Sequence, residues 1–356
     1  MTRKTAAVMA ILAWTASAQI PDGYYDQAEG LTGEALQWAL HGIIDNHDPV
    51  SYDYLWTAFY TTDDRYGNKV WDMYSDIPGG TPPYLYTLGD DQGGSASGEG
   101  EGYNREHSWP KSWFGDSSPM NTDLFHIVPT DIYVNNRRSN WPYAEVGSAT
   151  WTSLNGSRLG NSCTPGYSGT AFEPVDGYKG DLARNYFYMA TRYKGEDSGW
   201  PGSPMTDGAD LEEWAVEMLI QWHLDDPVSA KEIERNDAVY AIQDNRNPFI
   251  DHPEYVQMIY DPQSGVETSP IHTALACYPN PASSSVNLTL CMPSSEIPSG
   301  RILDVTGRTV AVLDFAHAGD SQYHACWICS DTSPGVYFVV AESEGNRICS
   351  PVLVLR

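Results

Sequence analysis

Glu106 and His107 stand side by side, and Asp123, His126, Asp131 and Asn135 follow soon after. Arg105, Arg137 and Arg138 bracket them. The span Tyr103–Glu145 has almost no aliphatic stretch of the kind a core needs. Such varied donors and acceptors in so short a span mark a site rather than a scaffold. An imidazole with its ordinary pKa takes a proton from water at neutral pH, which makes His107 the candidate general base. Oxygen ligands from Glu106 and Asn135 suit one hard cation such as Mg²⁺, with positions left for water and a phosphate oxygen. Such an ion stabilises a charged phosphorane-like transition state and a leaving 3′ oxygen. Arginines clamp flanking phosphates through paired hydrogen bonds. Together these residues point to phosphodiester hydrolysis.

Glu106 and His107 on one strand would face opposite sides, so a shared role needs a bend, which Pro110 favours. Val128–Asp131 reads as a helix start, with Thr130 as cap and Asp131 in the first turn. Asp131 and Asn135 then share one helix face. Asn135 is either a ligand or a surface amide, since Asn136 adjoins it. His126 either orients the site from behind or is a core histidine, and Asp123 and Asp131 fit hydrogen-bond acceptors better than ligands. Arg138 and Asn140 either brace the loop or touch substrate. Core packing suits Trp109, Trp113 and Trp141 better than base stacking. Arg246 and Asn247 suggest no chemistry of their own.

Around this segment, apolar spacing predicts helices over 25–44 with Thr32 as cap, and over 51–60, 181–193, 211–224 and 229–243. Residues 69–77 and 84–88 read as strands about a Pro/Gly breaker, 89–102 as a loop, and 151–175 as turn-rich. The character changes near residue 261. An irregular linker over 261–274 leads to short alternating strands at 286–290, 301–305, 309–313, 336–341 and 351–355, the pattern of a small all-β sandwich.

Met1–Ala18 reads as a removable export signal: a basic start, a short apolar run and a small-residue cleavage site. No later stretch is long and apolar enough to span a bilayer. The net charge of −27 argues against a polyanionic partner, but it is unevenly spread. Residues 103–200 carry 9 Lys+Arg against 10 Asp+Glu, whereas residues 1–102 carry 4 against 15 and 201–270 carry 3 against 15. The acidity belongs to the scaffold, and the candidate site is spared it. Five of the six cysteines lie beyond residue 270, and Cys326-Trp-Ile-Cys329 lacks a second CxxC for zinc. A disulfide or free thiols are expected there.

The stretches NREHSWPKSWFG and DLFHIVPTDIYVNNRRSN closely resemble the bacterial endonuclease I family of secreted nucleases. The likeness extends to Tyr24–Ile44 and to WHLDDPVS, ERND and DNRNPFIDHPEY, covering roughly residues 20–260. It implies a ββα-metal (His-Me finger) core, with His107 as base and Glu106 and Asn135 holding one Mg²⁺ that Ca²⁺ or Mn²⁺ can replace. It also implies nonspecific cleavage of DNA, often also RNA, to 5′-phosphates; a monomer is expected. Some members draw a leaving-group arginine from a cysteine-flanked segment. This chain has none; nothing in the resemblance assigns the role here, and Arg137 and Arg138 are named for it as an expectation only, with Arg105 and Asn140 as substrate contacts and His126 and Asp123 behind the site. Tyr278-Pro279-Asn280-Pro281, Asp304-Val305-Thr306-Gly307-Arg308 and Ser333-Pro334-Gly335-Val336-Tyr337-Phe338 resemble the sorting domain of the type IX secretion system. That implies dealings with the secretion machinery, then release or attachment at the cell surface. The expected protein is α+β: a helix-surrounded nuclease over 19–260, then a β-sandwich over 275–356. An extracellular ribonuclease on the same scaffold, or a surface-binding protein with a decayed site, is the alternative.

Overall fold

The computed structural model describes residues 20–261, 274–278, 280–291, 297–319, 322–330, 332–343 and 346–355. The export segment expected at 1–18 and nearly all of the expected linker lie outside these residues. The chain divides between residues 264 and 265 into two units, each with its own apolar core.

The first unit mixes helix and sheet. Its main elements are α1 (Gly33–Ile44), α2 (Leu55–Thr62), β1 (Tyr103–His107), β2 (Ile127–Asp131) and α3 (Ile132–Arg138), then β3 (Val146–Thr152), β4 (Arg158–Ser162) and β5 (Thr170–Glu173). α4 (Lys179–Arg192), α5 (Glu213–Asp225), α6 (Ala230–Gln243), α7 (Pro248–Asp251) and α8 (Tyr255–Tyr260) complete it. Every residue of α4 is buried, not just one apolar face. A helix enclosed on all sides must find partners for its polar side chains. Arg184 does so with Glu232 at 2.5 and 2.9 Å, and Arg192 with Asp45 at 3.1 Å and Glu196 at 3.0 Å. The same Glu232 closes the capping box that starts α6, bonding the Ser229 amide at 2.8 Å while Ser229 Oγ accepts from the Glu232 amide at 3.2 Å.

β1 and β2 pair antiparallel, from Tyr103 opposite Asp131 to His107 opposite Ile127, and the chain runs directly into α3. Strand pairing holds the backbone extended through Asp131, which moves the helix cap one residue beyond the expected Thr130. Asp131 accepts from the Val134 amide at 2.8 Å. Its own amide donates to Asp72 at 3.0 Å. From α6, Arg235 pairs with Asp63 at 2.8 Å and donates to the Leu124 and Ile127 carbonyls at 2.6 and 2.8 Å. The entry to β2 is therefore anchored by a buried cation.

Several local expectations are corrected. The first long helix begins at Gly33 rather than Tyr25, and Thr32 makes no side-chain cap bond. Residues 69–77 form a strand only over Lys69–Val70; beyond it the Asp72 carboxylate takes the Tyr74 amide at 2.8 Å and turns the chain. Tyr84–Leu88 contributes a single bridge, Lys69 to Thr87. The stretch read as turn-rich holds an antiparallel sheet in the order β3-β4-β5, whose first pair is interrupted by two register shifts.

In the second unit the strands are β6 (Ala274–Tyr278), β7 (Ser285–Cys291), β8 (Ser299–Asp304), β9 (Thr309–Asp314), β10 (Ala316–Gly319), β11 (Gln322–Ile328), β12 (Gly335–Ser343) and β13 (Asn346–Val354). They form two antiparallel sheets, ordered β6-β7-β11-β10 and β9-β8-β12-β13. Val286, Leu288 and Leu290 of the first share a core with Ile302, Val339 and Val352 of the second. Cys277, Cys326, Cys329 and Cys349 are free thiols.

Candidate active site

A cleft of about 320 Å³ gathers Arg105, Glu106, His107, Lys111, Asn135 and Asn140, bringing together residues from the end of β1, the loop after it, and α3. β1 stops at His107 and bends at Ser108, so both members of the Glu-His pair line one cleft despite strand alternation.

His107 is nearly buried, and its Nε2 lies 3.2 Å from the Asn121 carbonyl. A carbonyl only accepts, so Nε2 carries the proton and Nδ1 keeps its lone pair. Nδ1 has no hydrogen-bond partner among the described residues. Burial drives the His107 pKa well below its usual value, and His126, Lys111 and Arg105 push the same way, so the ring is neutral. Tyr52 stacks on it at 6.1 Å, and His126 meets it edge-on at 5.5 Å.

Glu106 Oε1 accepts from Arg138 Nη1 at 2.8 Å, Tyr74 at 2.9 Å and Tyr143 at 3.5 Å. Burial raises the Glu106 pKa, against the pull of Arg138 and the two tyrosines. Asn135 Nδ2 donates to Asn104 Oδ1 at 2.8 Å. Among the described residues, Glu106 Oε2 and Asn135 Oδ1 have no protein partner. One carboxylate oxygen and one amide oxygen in the same cleft fit the donor set of a hard divalent cation.

The three arginines sit in different places. Arg138 is fully buried; its guanidinium donates to Glu106 Oε1, to the His107 carbonyl at 2.8 Å and to the Ser108 carbonyl. It lines the cleft too, but its α3 face packs inward beside Val134 and its guanidinium is committed to Glu106 and two carbonyls, so it braces Glu106. Arg137 lies on the exposed side of α3, over the Tyr133 ring at 5.0 Å and the Trp151 ring at 5.6 Å, and does not line the cleft. Arg105 does line it, held between Tyr52 at 3.9 Å and Trp56 at 4.4 Å. Asn140 stands at the rim, 3.4 Å from Ser112 Oγ.

His126 is buried with Nε2 2.7 Å from the Met120 carbonyl and touches His107 only by its ring. Asp123 accepts from Tyr188, Tyr193, Gln243 and the Phe125 amide. Burial pushes its pKa up, but His47, His126 and these donors win, and the carboxyl stays below its usual range. A separate cluster, His41, Asp45 and Glu196, brings its ligand atoms within 4.8 Å, yet Arg192 already bonds both carboxylates. Arg246 is also structural, paired with Asp237 and Asp251.

Sequence reasoning missed Lys111, Tyr52, Tyr74, Tyr143 and the Asn121 carbonyl. Lys111 stands within the polar segment and its charge was a usable signal. The tyrosines look like ordinary aromatics until the fold brings them to Glu106, and a backbone carbonyl leaves no trace in side-chain chemistry.

The endonuclease I profile matches residues 32–254, and that of the secretion system C-terminal sorting domain matches residues 276–354. The chain is 35% identical over 265 residues to the extracellular ribonuclease of Bacillus subtilis (strain 168), covering 72% of this chain and 84% of that protein. It is 37% identical over 246 residues to the extracellular ribonuclease of Bacillus amyloliquefaciens, covering 67% and 78%. A weaker match, 27% over 131 residues, links it to endonuclease-1 of Buchnera aphidicola subsp. Baizongia pistaciae, covering 37% and 46%. This chain therefore belongs to the endonuclease I family, as a secreted or cell-surface nuclease acting on phosphodiester bonds and carrying a C-terminal sorting domain.

Proposed function

We propose that this nuclease is metal-dependent and sequence-nonspecific, cleaving DNA and RNA to 5′-phosphate products on a ββα-metal core made by β1, β2 and α3. His107 Nδ1 accepts a proton from water as the water oxygen bonds to phosphorus and the P–O3′ bond breaks; the 3′ oxygen leaves as an oxyanion that takes its proton from solvent, and the Nε2 proton stays on the ring, donated to the Asn121 carbonyl. Glu106 Oε2 and Asn135 Oδ1 would hold one Mg²⁺. Bound there, the ion supplies electrostatic stabilisation of the charge developing on the phosphoryl and leaving oxygens. Arg138 and the two tyrosines fix Glu106 so that Oε2 stays turned to the cleft. Arg105 and Lys111 provide the positive charge that receives flanking phosphates, and Asn140 supplies an amide at the rim. The chain acts as a monomer, leaving the cell by a type IX route that reads its sandwich domain.

The observation that carries this reading is a neutral, tautomer-locked His107 beside two unpartnered oxygens. Plasmid nicking by the mature protein with Mg²⁺, with EDTA, and for His107→Ala tests it. The variant should lose about 10²–10⁴-fold in rate, the usual contribution of a general base. Undiminished nicking in EDTA, or by the variant, would sink the mechanism. The names of the Bacillus relatives favour a second reading in which RNA is the preferred substrate. Parallel rates on RNA and DNA of one sequence separate the two.

A further inference from the structure

Ser112 and Asn140, bonded to each other at 3.4 Å, line both the cleft and a second pocket of about 270 Å³, walled by Trp113, Trp141, Pro142, Tyr167 and Pro204. The two compartments differ in kind. The cleft is lined by Arg105, Lys111 and the Glu-His pair, whereas no residue lining the second pocket carries a charge. A phosphate belongs in the first, and a planar, neutral, polarisable group belongs in the second.

The Tyr167 side of the aromatic wall is fixed before any ligand arrives. Tyr167 bonds the Thr170 carbonyl at 2.8 Å and stacks on Trp214 at 4.7 Å with an 11° interplanar angle. Trp214 Nε1 in turn donates to the Pro204 carbonyl at 3.0 Å. Trp141 enters the pocket lining just after the turn that ends α3, where Ser139 takes φ 54° and the Trp141 amide donates to the Arg138 carbonyl at 3.1 Å. Trp109 and Trp113 are 0% and 3% exposed, as core residues are, but Trp141 is 41% exposed.

We propose that this pocket is a nucleobase subsite. It takes the base of a nucleotide next to the scissile phosphate, stacked on Trp141, and so makes the enzyme prefer unpaired strands over duplex. The inference rests on the nuclease reading above and adds a substrate class to it. A base within a duplex has both faces covered by its neighbours, whereas an unpaired base can turn a face to an aromatic ring. Every base has such a face, so the subsite favours single strands without imposing a sequence.

The test measures kcat/KM of the full chain, as wild type, Trp141→Ala and Trp141→Phe, on three substrates: a single-stranded oligonucleotide, its abasic counterpart and its duplex. Trp141→Ala should lose roughly tenfold on the base-bearing single strand, the size of one aromatic stacking contact. It should lose nothing on the abasic strand or the duplex, and Trp141→Phe should keep most of the activity. Equal loss on all three substrates means a merely structural tryptophan and overturns the subsite, as does no loss at all. His107→Ala separates the two readings. Wild-type cleavage that this variant abolishes, with Trp141→Ala unaffected, removes the subsite and leaves the nuclease. A wild type that cleaves none of the substrates removes both.

Discussion

The two units bury different things. The nuclease unit encloses Arg138, Arg184, Arg235 and Arg246 with their carboxylates, whereas the sandwich core is made of aliphatic and aromatic side chains with Cys329. A buried ion pair adds little net stability over apolar packing, but it demands one geometry. In the nuclease unit that geometry holds Glu106 and the approach to β2; in the sandwich, burial of area suffices. Interior polarity here marks where position matters, and interior hydrocarbon marks where only folding does.

The sharpest way to break this contrast is Arg138→Ala. It strands Glu106 in a buried site without its cation and should cost about 3–5 kcal/mol in denaturant unfolding, with loss of nicking. A stable variant with full activity would contradict the positioning role. Leu288→Ala is the counterpart in the sandwich, expected to cost about 2–4 kcal/mol by opening a cavity. Plasmid nicking by the folded variant should match wild type, and a matching loss of rate would erase the distinction.

A third effect is set by pH. His223 lies 3.2 Å from Arg184 Nη1 and 3.1 Å from the Pro253 carbonyl. Burial first, and then Arg184, lower its pKa to about 4. The folded state therefore prefers the neutral ring. Its contribution is complete above the unfolded value near 6.5 and is lost as pH falls from there towards 4. Over that window the nuclease unit should lose about 3 kcal/mol, and His223→Gln should flatten the slope in melts taken at successive pH values. The smallest effect is local. Ser229→Ala removes the α6 cap and should cost about 1 kcal/mol, read by denaturant melts, with the cleft chemistry unchanged.

Legibility in the sequence followed the physics of each element. α5 and α6 announce themselves by apolar period and by Ser229, and Glu106, His107 and Asn135 meet in one cleft as their oxygen and imidazole chemistry suggested. β3 was hidden because its register shifts at Val146/Ser148 and Ala149/Trp151 break the alternation that reveals a strand. Residues 71–77 misled for the opposite reason: their burial is that of a core segment, but past Trp71 the amides of Tyr74, Ser75 and Asp76 all go to Asp72 rather than to a neighbouring strand. Arg137 and Arg138 were indistinguishable as types. Only the helix phase, which sets Arg138 inward beside Val134 and Arg137 outward over Tyr133, tells a brace from a surface cation.

The tautomer of His107 is held by the carbonyl of Asn121, and that atom belongs to the main chain. Every amino acid at position 121 presents the same oxygen. The Asn121 side chain serves only the loop, donating to the Asp116 carbonyl at 3.3 Å, so a substitution there acts on His107 through the path of the backbone. On the proposed mechanism, part of the catalytic apparatus is written in the path of the loop, where it answers to backbone geometry and loop length more than to side-chain identity.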